Sequence, residues 1–378
     1  MRIGIDAKVL TSQTNGIGRY ATNLVRSLLV VSAGSDPALE FVLFTGPQTS
    51  RRLLDTLSGT YGEHFCALGS SVLRSLVSLP LGIVRQQVDV FHGLDHIGLP
   101  LFFKRGKYVI TVHDVISVIF PHLFTLKHRL VVRTGLARVA RQADMVIVPS
   151  YAVKQDVQQY LRIPEDRLVV IPNGCEAQFR PVGDPKHLNR VRTKYGLPAL
   201  YILFLSTLEP RKNVTTLLRA FARLRHMHVD PALHLVIAGA RGWRDTAIFH
   251  TVKTLDLEQA VLFPGFIAEE DLPALYCGAV LFVFPSLYEG FGLPVLEAMG
   301  CGVPVVASNT SAMPEVAGDA ALLVNPRDVE DMAAAMADVV HNTSLREHLR
   351  QKGLVRAQSF SWEVTARKTL DLYLALVR

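Results

Sequence analysis

The chain has 378 residues, more than a typical single domain, so the sequence predicts two domains with separate cores. Hydrophobic residues make up 49% of it and charged residues 19%, a composition that excludes intrinsic disorder. Its four cysteines are far apart and form no C-x-x-C pair, which argues against a disulfide framework or zinc site and predicts reduced thiols in a cytoplasmic protein. We expect no signal peptide, since a strand pattern begins at once, and no spanning helix, since no apolar run approaches about 18 residues.

The net charge of +7 is confined to the first half of the chain. Residues 1–173 hold 19 Lys and Arg against 12 Asp and Glu, whereas the remainder holds 21 of each. Much of the excess lies in 121–141, where basic residues alternate with apolar ones at near-helical spacing: Lys127, Arg129, Arg133, Arg138 and Arg141. Two interpretations stay open, an amphipathic helix with a solvated basic face or contact with an anionic membrane surface. Nucleic acid is not expected as a partner, because no recognition motif accompanies the charge.

The first predicted strand, 3–9, is followed by a glycine loop and a helix. Gly16 and Gly18 belong to a G-x-G-x-x-A motif, which alone would suggest a dinucleotide-binding fold. Such a site also needs an acidic residue at the end of the second strand, and the predicted second strand, 41–44, ends in Thr-Gly-Pro. We therefore favour a glycine loop whose amides, with Arg19, face a diphosphate.

Buried strands are then predicted at 88–91, 108–112, 145–148 and 168–171. His113 directly follows the second of these. Because polar residues at the carboxyl ends of parallel strands line the crevice of an open sheet, His113 is a candidate binding residue, although a lone histidine is more often structural. Pro172 and Gly174 punctuate the chain and predict a domain boundary. Strands and helices alternate throughout, so the sequence predicts an α/β protein with doubly wound parallel sheets.

The second half begins with a predicted strand at 201–205, and Arg211 and Lys212 lie on the loop that follows it. A guanidinium and an ammonium group beside a helix N-terminus suit a diphosphate, and the alternative is a solvated surface pair. Further strands are predicted at 234–238 and 261–263. Acidic residues precede the helices predicted at 272–276 and 332–340: Glu269, Asp271, Asp328 and Asp331. They are expected to open these helices rather than to bind a divalent ion, and we expect no metal site.

The stretch 289–297, E-G-F-G-L-P-V-L-E, lies between an apolar strand at 279–284 and a short helix. Gly290 and Gly292 allow backbone amides to approach an anion closely. Glu297 is expected in the opening turn of the helix, accepting hydrogen bonds from hydroxyl groups such as those of a ribose, and Glu289 is expected to reach another part of the same ligand.

With the C-G-V-P-V-V-A-S-N run that follows, this stretch resembles the nucleotide-sugar site of family-four retaining glycosyltransferases. The E-P-R-K-N segment at 209–213 resembles the phosphate-binding loop of the same family. The V-H-D triplet around His113 matches the place where these enzymes carry a histidine near the donor sugar. The resemblance extends over essentially the whole chain and is strongest in the second half.

The resemblance implies the GT-B fold, in which two doubly wound, Rossmann-like domains face each other across a cleft that holds the active site. Residues 1–172 would form the acceptor-binding domain and 173–359 the nucleotide-sugar domain. The C-terminal helix, 360–378, would cross back to the first domain.

It also implies roles for individual residues. Arg211 and Lys212 would hold the diphosphate, and Glu289 with the amides of Gly290 to Leu293 would position the sugar. The other expected donor contacts are Gly16, Gly18, His113, Phe266 against the base, Phe291, Gly292, and Glu297 on the ribose. No metal or other cofactor is expected, because cations and helix ends would stabilise the leaving diphosphate. In the mechanism that the resemblance implies, the leaving phosphate would take the proton of the acceptor, so no protein nucleophile is assigned.

The combined motifs resemble mannosyltransferases of bacterial surface polysaccharide assembly. They predict transfer of mannose from GDP-mannose to a glycan or lipid-linked saccharide acceptor, in the cytoplasm or at the inner face of the membrane. A UDP-glucose-dependent glucosyltransferase of the same fold is the first alternative. A GT-B nucleotide-sugar epimerase and a non-catalytic nucleotide-sugar binder are the others.

Overall fold

The structure is a computed structural model that describes residues 1–11, 16–33, 39–57, 59, 61–66, 74–95, 105–123, 135–243 and 245–377. The chain divides into two compact units. Unit 1 comprises Met1–Gly174 and Ser361–Arg378, and unit 2 comprises Cys175–Phe360. The boundaries predicted from the sequence lie after 172 and before 360.

Unit 1 is built on a sheet of seven parallel strands in the order β3-β2-β1-β4-β5-β6-β7. The strands are β1 Arg2–Asp6, β2 Glu40–Thr45, β3 Tyr61–Phe65, β4 Val90–Gly93, β5 Lys107–Thr111, β6 Met145–Val148 and β7 Leu168–Val170. The central strands consist of short apolar runs, as expected for strands covered on both faces. β3 was not predicted, because Y-G-E-H-F has no apolar pattern and the strand lies at the sheet edge.

The helices before the boundary are α1 Gly16–Val31, α2 Arg51–Leu54, α3 Leu79–Arg85, α4 Ile116–Ile119, α5 at 135–142 and α6 Tyr151–Asp156. β1 ends three residues earlier than predicted, because Asp6 caps a 3-10 turn by accepting a hydrogen bond from the Lys8 amide. Of the predicted basic face, Lys127, Arg129 and Arg133 lie outside the described residues, and Arg138 and Arg141 lie on α5.

Unit 2 contains a second sheet of six parallel strands in the order β10-β9-β8-β11-β12-β13. Its strands are β8 Tyr201–Leu205, β9 His234–Ala238, β10 Val261–Gly265, β11 Leu281–Phe284, β12 Val305–Ser308 and β13 Leu322–Val324. Its helices are α7 Pro185–Tyr195, α8 Val214–Leu224, α9 Thr246–Thr254, α10 Leu272–Cys277, α11 Leu293–Gly300, α12 Met313–Ala317, α13 Val329–His341 and α14 Thr343–Gln358. The two doubly wound sheets confirm the predicted fold class.

The last helix, α15 Trp362–Val377, belongs to unit 1 and packs on α1. Its buried residues recur at helical spacing: Trp362, Thr365, Ala366, Thr369 and Tyr373. At Gly174 the backbone passes very close to the first residue of α15. A Cβ added to Gly174 would lie 2.2 Å from the Trp362 nitrogen. Among the described residues, no helix combines the length and apolar character needed to cross a membrane.

Two of the acidic residues predicted to open helices behave differently from each other. Asp328 does cap α13, accepting hydrogen bonds from the amides of Glu330 and Asp331 at 3.0 and 3.1 Å. Asp271 precedes α10 but makes no cap with its side chain. It accepts hydrogen bonds from Lys194 at 2.6 Å and from the Tyr195 hydroxyl at 2.9 Å, so it joins α10 to α7 instead.

Candidate active site

The strand order of unit 2 reverses between β8 and β11. From β8 the chain moves outward to β9 and β10, and it then returns to build β11, β12 and β13 on the other side. Loops at the carboxyl ends of two such strands diverge and leave a crevice, where open α/β sheets bind their ligands. The loop after β8 carries Arg211 and Lys212, and the loop after β11 carries Glu289. The structure therefore brings together Arg211, Lys212 and Glu289, the residues predicted to hold the diphosphate and position the sugar. The predicted His113 lies in unit 1.

Glu289 contacts both cations. Its Oε1 accepts a hydrogen bond from Lys212 Nζ at 2.6 Å, and its Oε2 accepts one from Arg211 Nη1 at 3.0 Å. Arg211 Nε also pairs with Glu209, and the Arg211 side chain stays about one-fifth exposed, with 21% of its surface accessible. Lys212 is only 6% exposed. Two cations and two carboxylates thus form one ionic cluster of zero net charge at the crevice.

Burial and charge act in opposite directions on this cluster. Burial by itself would raise the pKa of Glu289, but Arg211 and Lys212 outweigh it and hold that pKa below its ordinary value. Burial lowers the pKa of Lys212, and the Glu289 carboxylate only partly offsets that effect. Glu289 is therefore an anion at neutral pH and a poor general acid.

Asn213 fixes the loop that carries the cations. It adopts a left-handed conformation, with φ of 59°, between a 3-10 turn at Pro210–Lys212 and α8. Asparagine tolerates this region better than most residues. Its Nδ2 donates to the carbonyl oxygens of Pro285 at 3.1 Å and Pro326 at 2.5 Å. Asn213 thereby ties the loop after β8 to the loops after β11 and β13.

Sequence reasoning missed the roles of Glu209 and Asn213. Both were visible in the E-P-R-K-N segment, and an asparagine directly before a helix was the available signal. Glu209 pairs with Arg211 inside the segment, but the partners of Asn213 lie 72 and 113 residues away, so its contacts could not be read from the segment itself.

The loop after β11 needs a glycine at Gly292. This residue has φ of 105° and precedes α11, and an added Cβ would lie 2.2 Å from Met313 Cε. The amide of Glu289 donates to Ser311 Oγ at 2.9 Å, which holds the start of the loop. Gly290 is buried and Leu293 is half-buried. Phe291 packs edge-on against Phe360, with ring centroids 5.7 Å apart.

Glu297 lies in the second turn of α11, not in its opening turn as predicted. The residue is buried, and its Oε2 accepts a hydrogen bond from the Tyr276 hydroxyl at 2.9 Å. Phe266 follows β10 at the sheet edge and is 67% exposed. A ribose contact for Glu297 and a base contact for Phe266 stay predictions.

The remaining predicted residues belong to unit 1. His113 follows β5, and its Nε2 donates to the Leu94 carbonyl oxygen at 2.9 Å. Since a carbonyl only accepts, this bond places the proton of a neutral ring on Nε2. The His113 ring meets the ring of Tyr20 nearly at right angles, with centroids 4.6 Å apart. Gly16 and Gly18 lie in the first turn of α1, and the loop at 12–15 before them is outside the described residues.

Within the parts of the chain that the structure describes, no group of three or more His, Cys, Asp or Glu side chains is arranged to hold a metal ion. The cations of the crevice are the side chains of Arg211 and Lys212.

The sequence matches two family models in succession, Glycosyltransferase Family 4 over residues 14–179 and Glycosyl transferases group 1 over residues 189–356. It is 32% identical to O-antigen chain mannosyltransferase B of Escherichia coli over 388 residues, which cover 99% of each chain. It is also 32% identical over 289 residues to the serotype-specific mannosyltransferase WbdA of Escherichia coli, where it spans 35% of that longer protein.

Among solved structures, Anabaena HepE in complex with UDP and glucose superposes with a TM-score of 0.77 at 20% identity. That alignment covers 99% of this chain and 100% of the other, so the GT-B fold predicted from the sequence is confirmed. The chain belongs to the family-four, group 1 glycosyltransferases. The predicted resemblance is thereby confirmed at the level of the family.

Proposed function

We propose that this glycosyltransferase is a retaining mannosyltransferase that moves mannose from GDP-mannose to a saccharide acceptor in polysaccharide synthesis. The ionic cluster of Arg211, Lys212 and Glu289 at the strand-order reversal carries the proposal, because it offers two cations to a diphosphate. The choice of mannose is supported by similarity to O-antigen chain mannosyltransferase B over 99% of both chains.

The cluster suggests how the donor is activated. As the bond between the sugar and the diphosphate lengthens, negative charge grows on the leaving phosphate, and Arg211 and Lys212 stabilise that charge without a metal. Glu289 then shares its cations with the phosphate and accepts a hydrogen bond from a sugar hydroxyl. Because Glu289 stays ionised, it does not supply the proton, and the leaving phosphate takes the proton of the acceptor on the same face of the sugar.

His113 is proposed to contact the transferred sugar. With its Nε2 proton donated to the Leu94 carbonyl oxygen, a neutral His113 accepts hydrogen bonds at Nδ1, as from a sugar hydroxyl. Gly16, Gly18, Phe266, Glu297 and the amides of the Gly290 to Leu293 loop complete the proposed donor contacts.

Thermal melting with nucleotides tests the donor site. GDP at 100 times its Kd should stabilise the protein by about 2.7 kcal/mol and raise Tm by roughly 5 to 10 °C, in EDTA as well as in magnesium. Stabilisation that requires magnesium would contradict a metal-free diphosphate site. Stabilisation by NAD alone would mean that the glycine motif at Gly16 binds a dinucleotide and that the proposal is wrong.

The stereochemical course is tested on the product. With GDP-α-mannose and a saccharide acceptor, the proton NMR spectrum of the product should show an α-linkage. A β-linkage would mean inversion. Release of free epimer without acceptor would indicate an epimerase, and binding without turnover would indicate a non-catalytic protein.

A UDP-glucose-dependent glucosyltransferase is the second candidate, because a protein of the same fold was solved with UDP and glucose. The same melting panel separates the two candidates, since UDP would then stabilise the protein and GDP would not. Transfer assays with GDP-mannose and UDP-glucose side by side give an independent answer.

A further inference from the structure

Four buried polar side chains of unit 1 form one continuous hydrogen-bonded chain. Tyr373 on α15 bonds His92 on β4, with 2.5 Å between the hydroxyl oxygen and Nδ1. His92 Nε2 lies 2.9 Å from Thr111 Oγ1 at the end of β5. Thr111 Oγ1 lies 2.9 Å from the hydroxyl oxygen of Tyr20 on α1. All four residues are at most 2% exposed.

This hydrogen-bonded chain ends at Tyr20, whose ring packs against His113. The centroids of the two rings are 4.6 Å apart. The strands β4 and β5 lead to the residues that hold His113, and they also carry His92 and Thr111 of the hydrogen-bonded chain. His92 lies two residues before Leu94, whose carbonyl oxygen holds His113 Nε2, and Thr111 lies two residues before His113 itself.

The protons of the hydrogen-bonded chain are coupled. Burial, with a smaller contribution from nearby His113, lowers the pKa of His92 to about 3, so the ring is neutral at physiological pH. A neutral imidazole donates from one nitrogen and accepts at the other. The two bonds of His92 must therefore run in one sense, and loss of the Tyr373 hydroxyl disturbs the His92 ring, its bond to Thr111 and, through Thr111, the bond to Tyr20.

We propose that Tyr373 is a positioning residue for His113, acting through His92, Thr111 and the ring of Tyr20. The proposal rests on the role in sugar transfer proposed above for His113. The helix α15 then contributes to catalysis as well as to the core of unit 1. Tyr373, in its penultimate turn, positions the ring that packs against His113, 260 positions earlier in the chain.

Tyr373→Phe removes only the hydroxyl group, and Thr369→Ala is the matched control. Thr369 is also buried on α15, but its hydroxyl bonds the Thr365 carbonyl oxygen of the same helix at 2.7 Å. We expect Tyr373→Phe to lower kcat about tenfold with the donor KM unchanged, as for a displaced catalytic group. Thr369→Ala should leave kcat unchanged. Equal effects of the two substitutions on kcat would overturn the proposal.

A double-mutant cycle tests whether the effect passes through His113. In a His113→Ala background, Tyr373→Phe should lower kcat no further, because the group that it positions is gone. A second tenfold loss in that background would show an independent action of Tyr373 and reject the proposal.

Substitutions at Thr111 test the same hydrogen-bonded chain without altering α15. Thr111→Val removes the hydroxyl that joins His92 to Tyr20 and should reproduce the loss of kcat, whereas Thr111→Ser should restore it. This pair decides the matter if Tyr373→Phe does not fold. Equal activity of the Val and Ser variants would contradict the proposal.

NMR of the His113 ring gives a readout that does not depend on activity. In the full chain, the ring resonances of His113, assigned by comparison with His113→Ala, should shift in Tyr373→Phe and stay in place in Thr369→Ala. Unmoved resonances in Tyr373→Phe would overturn the positioning role. A wild-type protein that transfers no sugar would instead reject the proposed function, and a His113→Ala variant with full activity would reject the role proposed for His113.

Discussion

At the scale of single residues, Glu289 sets the charge balance of the candidate site. Its carboxylate forms ion pairs with both Lys212 and Arg211, so it would compete with a diphosphate for the same cations. We expect Glu289→Gln to lower the transfer rate by roughly 10²-fold, because the sugar would lose the carboxylate partner proposed for it. The Kd for GDP should stay the same or fall, because the cations lose a competing anion. Steady-state kinetics and calorimetric titration with GDP measure the two effects.

Glu363→Gln is the matched control for that substitution. It removes a carboxylate from an exposed ion pair with Arg367 on α15, and exposed pairs contribute little. Neither kcat nor the GDP affinity should change. A higher Kd for GDP in Glu289→Gln would contradict competition between the carboxylate and the diphosphate.

His92 predicts a specific loss of stability in acid. Its pKa is about 3 in the folded protein and 6.5 when exposed, so between these values only the unfolded chain binds the proton. The stabilisation is complete above pH 6.5 and declines as the pH falls toward 3. From pH 7 to pH 5 the free energy of unfolding should fall by about 2 kcal/mol through His92 alone.

The variant His92→Gln isolates this contribution, because glutamine keeps a donor and an acceptor but does not titrate. Urea unfolding at pH 7 and pH 5 should show a smaller acid sensitivity in the variant than in the wild type. The same sensitivity in both proteins would mean that His92 is not the group responsible.

Residues with a local motif were predictable, and residues with distant partners were not. Arg211, Lys212 and Glu289 could be predicted to share one ligand because each lies in a loop with its own signature, and the structure places them in contact. Nothing near His92 in the sequence marks it, since its partner Tyr373 is 281 positions away. Tyr276, which donates to Glu297, looked like one more apolar position of α10.

At the scale of elements, the junction between Gly174 and α15 leaves no room for a side chain. An added Cβ would meet the backbone nitrogen of Trp362 at 2.2 Å, and backbone yields less readily than a side chain. Gly174→Ala should therefore destabilise the protein by about 1 to 3 kcal/mol. Gly183→Ala is the control, because nothing lies within 4 Å of its added Cβ. Equal urea midpoints for the two variants would contradict this close contact.

Among the predicted elements, the most accurate bounds belong to buried strands. The bounds of β6, β8 and β9 agree with prediction, because each is a mostly apolar run that is followed at once by Pro, Ser or Gly. The edge strand β3 and the short β13 were missed, and so was α14. In α14 only Leu349, Gly353 and Ala357 are buried, so its apolar face is too narrow to stand out.

At the scale of the whole molecule, the charge is divided unevenly. The net charge of +7 in residues 1–173 predicts attraction to an anionic surface. We expect co-sedimentation with vesicles that contain anionic lipid at about 20 mM salt, and much less at about 300 mM, where the charges are screened. Vesicles of neutral lipid are the control. Absence of binding to anionic vesicles at low salt would reject contact with the membrane and leave the solvated basic face.

The neutral cluster at the strand-order reversal has a consequence for selectivity. A crevice with two uncompensated cations would bind free phosphate and other small anions. Here Glu289 occupies those cations first, so a small anion gains little by displacing it. The proposed donor would add base, ribose and sugar contacts that offset the loss of this ion pair. If the crevice binds the proposed donor, the Glu289 carboxylate would therefore favour that donor over free phosphate.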